Sequence, residues 1–96
     1  MLFDLNKIET GEEKTSVLVE KDEYKTRIIE LSQGESIPDC KMNMHVLFIV
    51  LKGEVVISLD GVEHKVSQGQ ALITENTTVN MKTDQGVKIL GIQIQN

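Results

Sequence analysis

Residues 52–73 read KGEVVISLDGVEHKVSQGQALI. At the centre, Asp60-Gly61 separates two runs in which side chains alternate in character: Val55, Ile57 and Leu59 before it, Val62, His64 and Val66 after it. A period of two places successive side chains on opposite faces of an extended chain, which is the signature of a strand. An Asp-Gly pair between two such runs predicts a two-residue hairpin, because both central residues of that turn need positive φ. Gln68-Gly69-Gln70 is a further turn signal, and Ala71-Leu72-Ile73 begins another strand, which Glu75-Asn76 is expected to break.

The same pattern fills the rest of the chain. Val46–Leu51 is apolar on both parities, as in a strand covered on both faces, and Lys52-Gly53 reads as the turn that ends it. Toward the N-terminus, Thr15–Val19 and Tyr24–Leu31 read as strands around a Lys21-Asp22-Glu23 turn. Gln33-Gly34 closes the second of them, and Ile28 and Ile29 lie at its centre. Thr77–Met81 and Val87–Ile94 complete the set, separated by Asp84-Gln85-Gly86. The single proline, Pro38, marks an edge or corner, since it has no N–H for a sheet ladder. The helix signal is confined to Leu2, Leu5 and Ile8, whose spacing allows one short turn; Gly11-Glu12-Glu13-Lys14 ends it as a solvated loop. Asp22-Glu23 is likewise a solvated face. Many short strands with frequent turns predict an all-β sandwich or closed barrel, and closure removes the exposed edges of an open sheet.

The chain has 96 residues, enough for one domain with one core, and 40% of them are hydrophobic, which separates it from disordered sequences. We read residues 1–14 as an N-terminal arm and 15–96 as the barrel. Ten basic residues against fifteen acidic ones give a net charge of −5, with the cations scattered. Nucleic-acid backbones and acidic membrane surfaces both require clustered Lys and Arg, so neither is an expected partner. Phe3, Tyr24 and Phe48 are the aromatic residues, too few for base stacking. Cys40 is the one cysteine and forms no internal disulfide. The opening MLFDLNKIE is interrupted by Asp4, Asn6 and Lys7, unlike a secretory leader, and no apolar run approaches a membrane span. The expected location is the cytoplasm.

From Gly34 to Ile94 the sequence resembles the cupin superfamily, in particular its minimal single-domain members of the cupin 2 conserved-barrel type. A first motif in that family begins with Gly, reaches a His-x-His pair, then an acidic residue and a Gly. The corresponding frame here is Gly34-Glu35-Ser36-Ile37-Pro38-Asp39, then Cys40-Lys41-Met42, ending at Leu51-Lys52-Gly53-Glu54. The second motif begins at Gly61 and runs through Glu63-His64-Lys65-Val66 to Gly69-Gln70-Ala71-Leu72-Ile73. The resemblance implies a small jelly-roll β-barrel of two antiparallel sheets. It also implies where a metal would sit, and there this chain departs from the pattern. Cys40 and Met42 replace the two histidines, Val46 stands at or near the acidic ligand, and Thr74 and about Val79 occupy the later proline and histidine positions. Hard and borderline cations need imidazole or carboxylate donors, so the usual metal, and with it any cofactor, is not expected.

Several side chains merit individual readings. Cys40, Met42 and Met44 share a strand face, and their sulfurs suit Cu(I); filling a barrel interior is the commoner use of such residues. A soft-metal set of Cys40, Met42 and His45 is the alternative. Cys40 as a nucleophile needs a base, and His45 has the opposite parity on a straight strand. His64 reads as a rim residue. Asp39 and Glu35 are candidate general acids or bases, and Thr74, Thr77, Thr78 and Asn80 are candidate hydrogen-bonding groups at a barrel mouth. The expected pocket wall is Cys40, Met42, Met44, Phe48, Ile57, Val79 and Met81. No catalytic residue is singled out. The function read from the sequence is therefore a non-enzymatic module binding a small apolar ligand or acting on a partner protein through its surface, with an enzyme built on Cys40 or a soft metal as the alternative. The apolar members of Leu2–Ile8, together with the resemblance, lead us to expect a homodimer paired near the N-terminus.

Overall fold

The computed structural model describes residues 1–11 and 13–95; Glu12, read above as part of a solvated loop, lies outside them. Six strands follow one another: β1 (Thr15–Glu20), β2 (Tyr24–Leu31), β3 (Ser36–Leu59), β4 (Val62–Ser67), β5 (Ala71–Lys82) and β6 (Val87–Ile94). Residues 2–8 contain a turn at 5–7 and no helix, because the three-residue spacing there extends over too few residues to nucleate one. The Asp60-Gly61 hairpin has φ of 49° and 87° and pairs Leu59 with Val62.

All neighbouring strands pair antiparallel, and two long bent strands turn the sheet into a barrel. One layer runs β1, β2, β6, the middle of β3 (His45–Gly53) and the start of β5. The other runs β4, the end of β3 (Glu54–Leu59), the end of β5 and the start of β3 (Ser36–Met42). β3 and β5 belong to both, which is the jelly-roll arrangement.

The expected breaks at Lys52-Gly53 and Glu75-Asn76 are therefore corrected to corners within continuous strands. Gly53 turns β3 with φ of 83°, where the register with β5 shifts between Ile49 and Val56. A Cβ at Gly53 would run into the carbonyl oxygen of Gly86, so strand and turn meet there backbone to backbone. Asn76 turns β5 with φ of 51°, and the hydroxyl of buried Thr74 donates to that of buried Thr77 across the bend at 2.7 Å. Asn tolerates that conformation, and the two buried hydroxyls satisfy each other. Pro38 lies at a third irregularity, where register shifts between Ile37 and Cys40.

The core fills the space between the layers. Phe48, Ile57, Ile89, Val46, Val50 and Val55 are fully buried at its centre. Each contributes roughly 1.5–3 kcal/mol by leaving water. Part of the outer face of the first layer is also apolar. Three rows cross it in register: Tyr24, Ile94, His45 and Glu75; Thr26, Ile92, Leu47 and Ile73; Ile28, Leu90, Ile49 and Ala71. Ile28 is buried there although it stands outside the core cluster, whereas Ile73 is 70% exposed.

Candidate functional site: a cavity in the barrel

The barrel encloses a cavity of about 120 Å³. Three regions build it. The start of β3 contributes Ile37, Cys40 and Met42; the core side of β3 and β5 contributes Val46, Phe48, Val79 and Met81; β1, β2 and β6 close it with Thr15, Arg27, Ile29, Gly91 and Gln93. Cys40 is exposed, so the cavity meets the solvent beside it, whereas Val46, Phe48 and Val79 are buried.

The structure thus gathers five of the seven expected wall residues: Cys40, Met42, Phe48, Val79 and Met81. Ile57 stands off the cavity, fully buried in the core, and Met44 packs against the core cluster instead of lining the space. Cys40, Met42, Val46 and Val79, which the cupin resemblance aligns with metal-ligand positions, all face this one cavity. Their donor set is one thiol and one thioether, with Met81 adding a second thioether. Neither histidine is among the lining residues. His45 points its Nδ1 toward the Glu75 carboxylate at 3.6 Å, on the outer row of the sheet, and His64 is exposed on β4. The set Cys40, Met42 and His45 is therefore divided between the inside and the outside of the barrel. Among the described residues, no three His, Cys, Asp or Glu side chains are grouped to hold a metal ion. The residues at this site do not fit a hard or borderline cation.

Glu35, Asp39, Asn80, Thr74 and Thr77 are engaged locally through their side chains, and Thr78 through its backbone amide. Glu35 accepts from the Ser32 amide at 2.6 Å and closes the turn before β3. Asp39 accepts from Asn80 Nδ2 at 2.7 Å, joining β3 to β5. Thr74 and Thr77 bond each other, and the Thr78 amide donates to Asp60 at 2.9 Å. None of these lines the cavity. A larger concavity of about 1180 Å³ lies between the N-terminal arm, the end of β2, the Gly53 corner of β3 and the start of β6, but its walls include exposed Glu9, Glu13, Lys14, Gln33 and Gln68, and it is a solvated groove.

The polar wall of the cavity, Arg27, Gln93 and Thr15, was absent from the sequence reading. Arg27 Nη2 donates to Gln93 Oε1 at 3.1 Å, and Arg27 Nε is buried without an acceptor. The arginine stem crosses Gly91, where a Cβ would touch its Cγ at 3.5 Å. The parity of Arg27 with Ile29 and Leu31 was the available signal, but Ile28 beside Ile29 left the inner face of β2 undecided.

Comparison with known proteins agrees with this architecture. A cupin superfamily protein from Desulfitobacterium hafniense superposes with a TM-score of 0.83 over 96% of this chain and 87% of its own, at 20% identity. The chain has the cupin fold. The cupin domain of Cnp3 from Schizosaccharomyces pombe matches with a TM-score of 0.85 over 98% of this chain and 73% of its own, at 11% identity. A cupin 2 conserved barrel domain protein from Leptotrichia buccalis matches at 0.82 and 24% identity, over 93% of this chain and 44% of its own. No family model matches the sequence, and no curated protein does. Sequence identities this low relate these cupins by fold and leave activity to be argued from the site.

Proposed function

We propose that this cupin is a non-enzymatic module that takes a small ligand into its barrel cavity without the usual cupin metal. One observation carries the reading: the four motif positions meet at a single cavity, and they are filled by hydrocarbon and sulfur. Mostly apolar walls with a few convergent polar groups characterise small-ligand sites. The test is metal analysis of tag-free protein by mass spectrometry, followed by ligand titration watched at the cavity-lining methyl groups. Substoichiometric copper, zinc and iron, with ligand-induced shifts at Ile29, Val46 and Val79, are expected. A full equivalent of metal, or no response from those methyls, would sink it.

A second reading has one feature in its favour: Cys40 and Met42 face the same space, the beginning of a soft-metal or thiol-based site. Under that reading, metal or activity disappears in Cys40→Ser; under ours, the variant binds ligand as the wild type does.

We further propose a homodimer, joined not near the N-terminus, as the sequence led us to expect, but through the apolar part of the outer face of the first layer, around Leu47, Ile92 and Ile73. Three rows across four strands there carry little charge, and contiguous apolar surface of this kind is normally covered by a partner. No helix among the described residues is long and apolar enough to cross a membrane. A single cysteine suits a reducing compartment, and we propose the cytoplasm.

A further inference from the structure

We infer that the ligand of the barrel cavity is a small monocarboxylate with a short alkyl body, held by Arg27; this rests on the ligand-binding reading above. Arg27 is half-buried among Ile29, Phe48 and Gly91, with its stem across the glycine. A guanidinium has five N–H donors and remains charged. Among the described residues it meets one side-chain acceptor, the neutral Gln93 Oε1, and its Nε is buried with none. It joins none of the ion pairs among those residues, and no residue lining the cavity is acidic. A cation withdrawn from water without a counter-charge is costly, so the site gains most from an anion brought by the ligand.

The chemistry of that anion follows from the walls. One positive charge balances one negative charge, and a doubly charged phosphate would leave a charge uncompensated among hydrocarbon. The planar guanidinium fork matches a carboxylate, which it can bind through two parallel hydrogen bonds. Gln93 holds one Nη hydrogen and leaves the others for the incoming oxygens. Beyond the head group, Val46, Phe48, Val79 and Met81 offer only apolar contact. A cavity of about 150 Å³ lined by aliphatic and aromatic groups holds benzene. The 120 Å³ here therefore limits the body to a few carbons. Exposed Cys40 marks the entrance.

Butyrate and its neutral isostere butyramide are the probes, titrated into the full chain and followed by methyl NMR at Ile29, Ile37, Val46 and Val79. Butyrate is expected to bind at least about tenfold more tightly than butyramide, because only the carboxylate brings a counter-charge and two acceptor oxygens to the guanidinium fork. Arg27→Met keeps the stem over Gly91; it should erase the preference for butyrate over butyramide. The comparison on wild-type protein requires no variant to fold. Equal affinity for the two probes, or a preference that survives in folded Arg27→Met, overturns the carboxylate inference and leaves the ligand reading standing. No response of the cavity methyls to either probe at tens of millimolar, about the weakest binding such a titration reads, overturns both.

Discussion

Gly53→Ala tests how the barrel turns its corner, with Gly61→Ala as its control. Both glycines have left-handed φ, 83° and 87°. An alanine in that conformation costs about 1–2 kcal/mol, and its lower freedom in the unfolded chain returns about 0.4–1 kcal/mol. Gly61 has open space where a Cβ would go, so its substitution should cost no more than this difference, about 0.5–1 kcal/mol. Gly53 bears the same conformational cost and also drives its Cβ into the Gly86 carbonyl, which accepts from the Glu54 amide at 3.4 Å. Gly86 cannot retreat freely, because its own amide is latched to the Thr83 hydroxyl at 3.0 Å, and Thr83 is buried and bonded to the Glu54 carbonyl. Forcing backbone apart in a packed region costs about 1–3 kcal/mol, and a disturbed hydrogen bond adds about 0.5–1.5 kcal/mol. Gly53→Ala should therefore lose roughly 2–5 kcal/mol, a large share of the stability of a domain this size. For a domain of this length that corresponds to a fall in Tm of the order of 10–30 °C. Urea unfolding followed by circular dichroism, at one protein concentration for all variants, measures the difference. If Gly53→Ala lands within about 0.5 kcal/mol of Gly61→Ala, the close approach of β3 to the β5–β6 turn is wrong.

Phe48→Ala should cost about 3–5 kcal/mol, because the ring is 1% exposed and its loss enlarges the adjoining cavity; a urea midpoint near that of the wild type would remove Phe48 from the core. Thr77→Val should cost about 1–3 kcal/mol by stranding the buried Thr74 hydroxyl, and the Thr74→Val/Thr77→Val double variant should cost clearly less than the two single losses added; additive losses would mean that the two hydroxyls do not meet. Ile73→Lys, at a site 70% exposed, should change monomer stability by no more than about 0.5 kcal/mol while light scattering reports a monomeric mass in place of a dimeric one; an unchanged mass would place the dimer interface elsewhere.

Much of the architecture was legible because it depends on local chemistry. Asp60-Gly61 demands a tight hairpin wherever it occurs, and alternating Val55, Ile57 and Leu59 can be satisfied only by a strand with one buried face. The boundaries of β2 follow directly from its flanking turn residues. The same local rules misread Gly53 and Asn76 as ends of strands. A residue with positive φ can end a strand or bend it, and which occurs depends on whether a pairing partner continues beyond it. At Asn76 that partner is β3, which pairs with β5 on both sides of the bend, and at Gly53 pairing passes from β6 before the corner to β4 after it.

The sulfur-and-valine replacement at the motif positions was likewise visible in the sequence, because donor chemistry belongs to residue identity and needs no coordinates. That Cys40, Met42, Val46 and Val79 share a cavity, that His45 faces outward beside Glu75, and that Arg27 turns inward were decided by the tertiary structure. The bulges between Ile37 and Cys40 and between Met42 and His45 shift the parity along β3. On β2, Ile28 and Ile29 present apolar surface to both sides, so alternation there carries no sign. Strand period states which residues share a face; only closure of the barrel states which face is inside.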